Sequence, residues 1–160
     1  MNRGDASLFL PRSAVAVRLR LATGDPIAGE VFVMQRVAHR DGPETVLEML
    51  NRPEAFYPFR PADGGPVLLV ARAHTLALST DSGDALGDPD RREAAHAVPL
   101  TVTLTTGDTL SGDAWFEASA TRQRPLDYLN ASRDPFFALV RDDVTDYINS
   151  AHVRSAQPGD

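Results

Sequence analysis

The chain is predicted to be all-β: two tandem SH3-like or Sm-like small barrels, each with one short helical turn, related by pseudo-two-fold symmetry. Three observations carry that prediction. Apolar and polar residues alternate strictly through Val15–Leu21 and again through Val98–Leu104, the period of a half-buried strand. Thr23-Gly24-Asp25 and Thr106-Gly107-Asp108 follow these runs, each a turn in which glycine supplies positive φ and aspartate bonds nearby backbone. Both segments, with the Gly29 and Gly112 that follow, match at one constant offset, the mark of an internal repeat.

The elements follow in order. Residues 1–13 form a leader whose Leu8-Phe9-Leu10 run either covers part of the protein's own core or docks on a partner. Its Arg3-Gly4-Asp5 tripeptide carries no signal. The first repeat spans 14–80, an acidic linker 81–96, the second repeat 97–156, and a tail 157–160. The second strands are Ile27–Met34 and Leu110–Glu117, with Gly29 and Gly112 on the inner face, where a small barrel bends its strands sharply. Helical turns follow at Leu47–Asn51 and Leu126–Asn130, their i, i+3 leucines set to pack on a core. Asn51 and Asn130 end these turns, where asparagine readily takes the left-handed conformation. Aromatic and aliphatic strands close each copy: Phe56, Tyr57 and Phe59 parallel Phe136, Phe137 and Leu139. Asn149-Ser150 marks a tight turn before the last strand.

The second copy also resembles a family of small bacterial β domains. The residues that carry the likeness are Arg124, Asp127, Leu129-Asn130, a following Phe136-Phe137, and the late Ile148-Asn149. The match covers about residues 98–156. The first copy departs from it, with Val46, Glu48 and Ala71 where the second has Pro125, Asp127 and Asn149. The resemblance implies the fold and supplies no activity.

Composition narrows the function. The chain has 160 residues, 42% hydrophobic and 24% charged, an ordinary globular balance. All 16 basic residues are arginine, which together with abundant Ala, Asp, Gly and Pro reads as a GC-rich bacterial genome. The net charge of −6 argues against nucleic acid as a partner, because phosphate neutralisation needs a basic surface. Without cysteine there is no disulfide, thiolate nucleophile or Cys-zinc site. Leu8-Phe9-Leu10, stopped by Pro11, is too short for a signal-peptide core or membrane span. The expected location is cytoplasmic, including the periphery of a membrane complex, with no transmembrane segment.

No constellation points to catalysis, and the expectation is no enzyme, no metal and no cofactor. His74 and His152 occupy matching positions but lack companions at ligand spacing. Arg122, Arg124 and Arg133 flank Asp127 and Asp134 and serve local ion pairing. Arg36 and Arg40 resemble the paired arginines of PilZ domains, which bind cyclic dinucleotides, but the second element of that motif is missing. A PilZ-like or other small-ligand regulatory domain and an Sm-like RNA binder are the rival readings. The favoured one is a protein-interaction module: a scaffold or accessory subunit of a larger bacterial complex, membrane-embedded complexes included. Candidate contacts are Leu8, Phe9 and Leu10 with the outward Phe32, Met34 and Trp115 of the second strands. Phe32 and Trp115 serve either to join the two halves or to face a partner.

Overall fold

Ten antiparallel strands and two short helices make up the described residues, 12–38, 42–81, 95–117 and 124–159 of a computed structural model. In chain order they are β1 (Arg12–Arg20), β2 (Ile27–Met34), α1 (Val46–Leu50), β3 (Phe56–Pro61), β4 (Leu68–Ala71), β5 (Ala77–Thr80), β6 (Ala95–Leu104), β7 (Thr109–Glu117), α2 (Pro125–Ala131), β8 (Phe136–Arg141), β9 (Val144–Asn149) and β10 (Val153–Pro158). Single 3₁₀ turns, Arg72–His74 and Ser150–His152, link β4 to β5 and β9 to β10. The strands form one continuous open sheet in the order β10-β6-β7-β8-β9-β5-β1-β2-β3-β4. The protein is all-β. Leu8, Phe9, Leu10 and most of the expected linker lie outside the described residues.

Alternation places the core. Val17 and Leu19 on β1 and Leu100, Val102 and Leu104 on β6 are buried, while Arg18 is exposed. Gly24 and Gly107 take φ of 83° and 94° in the turns that follow, a region side chains rarely enter. Gly29 and Gly112 serve a close approach. A Cβ on Gly29 would lie 2.4 Å from the Arg60 carbonyl oxygen, and one on Gly112 would lie 2.5 Å from that of Val140. Each glycine lets the third strand of its half pass directly over the second.

The two helices differ in a way the sequence pattern did not foretell. Thr45 caps α1 in a reciprocal capping box with Glu48, which ties up backbone donors at its start. Leu47 and Leu50 are buried beneath it. On α2 the expected core leucine Leu126 is instead exposed. The reason is neighbourhood: α1 packs against β8, and the described residues include no equivalent strand over α2. The asparagines also act otherwise than expected. Asn51 has φ −89° and Asn130 lies within α2, so neither ends a helix in the left-handed conformation.

Two apolar clusters fill the interior, and each draws on both halves of the chain. The first gathers Val17, Leu19, Val31, Met49, Leu50 and Phe59 with Phe136, Ala138 and Tyr147 from β8 and β9. The second gathers Leu100, Val102, Leu104, Leu139 and Ile148 with Leu76 and Ala77 from beside and within β5. The seam between halves is the β5–β9 ladder, with Ala77 opposite Ile148, Leu78 opposite Tyr147, and Ser79 opposite Asp146. This joint runs one way. A two-fold relation between the halves would pair β10 with β4 in the same manner, whereas those strands stand at opposite ends of the sheet.

Candidate functional site

Among the described residues, four of the five exposed large apolar side chains gather at the β4 edge. β4 pairs with β3 alone, through Phe56↔Ala71, Tyr57↔Val70, Pro58↔Leu69 and Phe59↔Leu68. Alternation buries Tyr57, Phe59 and Val70 and sets Phe56, Pro58, Leu69 and Ala71 on the opposite face, while Leu68, opposite Phe59 on the inner face, is left exposed where β4 begins. Phe56 is 58% exposed, Val67 49%, Leu68 40% and Leu69 74%. Four large apolar side chains, two on a strand with an open hydrogen-bonding edge and two beside it, form a patch of the kind that marks interaction sites.

Beside this edge lies a hollow of about 240 Å³. Phe32, Met49, Phe56, Tyr57 and Pro58 form its mostly apolar wall, and Arg12, Arg52, Arg72 and Glu54 complete its lining. Two of those arginines have their charge engaged inside the protein. Arg72 donates from Nη1 to the carbonyls of Glu54 (2.6 Å) and Phe56 (2.8 Å) and from Nη2 to that of Met49 (3.0 Å), tying β3 to α1. Its guanidinium also lies 5.4 Å from the Tyr57 ring centroid. Arg52 is ion-paired with buried Glu44, whose carboxylate also accepts the Met34 N–H at 3.0 Å.

The Tyr57 hydroxyl sits 2.8 Å from Thr75 Oγ1, which itself donates to the Ala71 carbonyl at 3.1 Å. The tyrosine therefore donates to Thr75. Burial pushes this hydroxyl up to about 12, against smaller opposing effects of the Thr75 bond and the Arg72 charge. The folded chain thus keeps a proton that the unfolded chain loses near pH 10. The resulting stability is present below about pH 10 and disappears as pH rises through about 12, a loss of about 2–3 kcal/mol. Urea unfolding at about pH 9 and about pH 11.5 should show this fall, and Tyr57→Phe should flatten it. An unchanged fall in that variant would assign the proton elsewhere.

The residues singled out in the sequence divide among several places. Phe32 lines the hollow, half-buried, with the Arg60 guanidinium 5.1 Å from its ring centroid. Met34 is half-buried on the same strand. Trp115 is half-buried on β7, between Ala97 and Ala138 in the ladder. None of the three belongs to the apolar clusters, and the seam between halves is built by β5 and β9. Asn51 and Asn149 each bond backbone across the two halves. Asn51 Nδ2 donates to the Phe136 carbonyl (3.2 Å) and its Oδ1 accepts the Phe136 N–H (2.9 Å). Asn149 Nδ2 donates to the carbonyls of Arg72 and Thr75. Arg124 pairs locally with Asp127 at 3.2 Å, exposed to solvent.

His152 Nε2 lies 2.6 Å from the Ala73 carbonyl; a carbonyl only accepts, so Nε2 carries the proton. Arg36 is exposed, and Arg40 lies outside the described residues. Among the described residues no three His, Asp or Glu side chains gather as metal ligands, and no helix is long and apolar enough to cross a membrane.

Sequence reasoning missed Phe56, Leu68, Leu69 and Leu126 as surface residues by assigning them to strands and a core helix. One signal was available. Val67-Leu68-Leu69-Val70 is apolar on both faces of its strand, a pattern of strands covered on both sides. Comparison with protein-family models, curated proteins and solved structures finds no match for this chain.

Proposed function

We propose that the protein is a non-enzymatic interaction module, an accessory or scaffold subunit of a larger bacterial assembly, that binds through the β3–β4 edge. The observation that carries this reading is the exposure of Phe56, Val67, Leu68 and Leu69 on and beside an edge strand paired on one side only. Such an edge offers backbone donors and acceptors for an added strand and apolar side chains to hold it. The neighbouring hollow, with Phe32 on its wall, widens the same surface. Two of its arginines are already engaged with protein carbonyls and a carboxylate, which favours an apolar contact over an anionic ligand.

The tandem arrangement supports the module reading. The order β5-β1-β2-β3-β4 has its like in β10-β6-β7-β8-β9. Registers correspond too: Leu19↔Leu78 with Val102↔Ala156, and Phe56↔Ala71 with Phe136↔Asn149. We read these as two five-stranded units of the small-barrel type, set head to tail rather than face to face.

The test is size-exclusion of native extracts with wild-type chain and with Leu69→Arg. Leu69 touches solvent over most of its surface, so the variant should melt as the wild type does. Wild type should elute in a larger assembly and the variant should be released from it. Retention of the variant in the same assembly would overturn the proposal.

A further inference from the structure

We propose that the occupant of the β4 edge is a second copy of this chain, whose β10 adds to β4 as β5 adds to β9 within each molecule. This rests on the docking role of the β3–β4 edge and names its partner. Because the internal joint runs one way, it leaves two unlike ends. At one end β4 stands where β9 stands in the joint, and at the other β10 stands where β5 stands.

The side chains at both ends fit the same joint. Phe136, Ala138 and Tyr147 of β8 and β9 cross into the first half's core and are buried. The residues in their places on β3 and β4 are Phe56, Pro58 and Leu69, apolar as well, and two of them are among the most exposed large side chains. On the receiving side, α1 offers β8 its buried Leu47 and the Asn51 amide, which grips both backbone groups of Phe136. In their places α2 carries Leu126, 61% exposed, and Asn130, also exposed. Leu126 and Asn130 of one molecule thus await the Phe56 of the next. Likewise His152 reaches the Ala73 carbonyl inside the chain, while the matching His74 and Ala151 are both exposed. A foreign strand on β4 would leave exposed Leu126 and Asn130 unexplained; a second copy uses both ends at once.

The register follows. Ser79 faces Asp146 in the joint, side chains 2.5 Å apart, and the matching pair between molecules is Gln157 with Leu68. Pro158 stands where Thr80 stands and offers no N–H, so the ladder between molecules ends one bond earlier. Head-to-tail contacts of this kind close into a ring or extend as a filament.

The chain has no cysteine, so engineered ones report cleanly. Leu68→Cys and Gln157→Cys sit at exposed positions, and facing residues of paired antiparallel strands lie within disulfide reach. Purified full-length single-cysteine variants, mixed and oxidised, should form disulfide-linked dimers that neither variant forms alone. The wild type should show concentration-dependent mass above one chain, and Leu126→Arg should weaken that association at least about tenfold, a change of about 1.4 kcal/mol. Cross-links formed by either variant alone would mean a two-fold contact and overturn the proposal. So would a wild type of single-chain mass at every concentration, or association indifferent to Leu126→Arg. A purified chain that stays monomeric while its native assembly still depends on Leu69 removes the second copy and leaves the docking surface standing.

Discussion

Tyr147→Ala should lower the melting temperature by roughly 10 °C and should do so in both halves of the chain at once. Tyr147 is fully buried on β9, opposite Leu78, and its ring belongs to the first half's core although the residue lies in the second. Truncating a buried aromatic to alanine costs about 3–5 kcal/mol in lost transfer energy and residual cavity. In a domain of this size each kcal/mol moves the midpoint by about 2–4 °C. Because the cavity opens at the seam, neither half escapes it. Trp115, the single tryptophan, reports on the second half by its fluorescence, and far-ultraviolet circular dichroism reports on the whole sheet. The two signals should fall together at the lowered temperature. A Trp115 transition that stays at the wild-type temperature would show that the halves unfold independently, against the shared cores described above.

Asn149→Ala should cost about 3 kcal/mol, read as a lower urea midpoint at unchanged slope. The Asn149 side chain is 2% exposed. Its amide donates to the Arg72 carbonyl at 3.3 Å and the Thr75 carbonyl at 3.0 Å across the seam, while its Oδ1 accepts the Ala151 N–H at 3.0 Å. Alanine removes the donor and leaves acceptors in a dry joint, and each buried polar group so stranded costs about 1–3 kcal/mol. Asn149→Asp makes the comparison sharper. It keeps the shape and the Ala151 bond but replaces the two donated bonds with a carboxylate facing two carbonyl oxygens. It should be at least as destabilising as alanine at neutral pH. An Asn149→Ala loss below about 1 kcal/mol would mean that the seam is held by its apolar contacts alone.

The two predictions also mark where sequence reading ran out. Asn51 stood out as a repeated feature and Asn149 as the residue before a tight turn, and the expected role of both was to end local structure. Each does end its element and also bonds backbone far away in the chain: Asn51 follows α1 and reaches Phe136, and Asn149 closes β9, caps the turn after it and reaches Arg72 and Thr75. An asparagine that caps its own turn and one that grips a distant strand have the same neighbours in sequence. Leu126 failed for a similar reason. Its i, i+3 spacing with Leu129 matches that of Leu47 with Leu50, but only α1 has β8 against it.

What the sequence determined by itself is everything that adjacent residues decide. Alternation chose the buried faces of β1 and β6, and Gly24 and Gly107 set the turns after them because only glycine enters positive φ without strain. Gly29 and Gly112 were legible as special, although the tertiary structure alone supplied the cause, a neighbouring backbone carbonyl within van der Waals distance. The Thr45–Glu48 capping box is likewise written in the sequence, two residues three positions apart whose side chains each accept the other's backbone N–H. Only the tertiary structure decided which strand lies beside which across the seam, and so which edges stay open. Backbone N–H and C=O groups are the same at every residue, so a strand's sequence states which face is apolar and leaves its lateral neighbour unstated. The pairing of β5 with β9, and the exposure of Leu69 at the far edge, follow from how the halves dock, a choice distributed over residues distant in the chain.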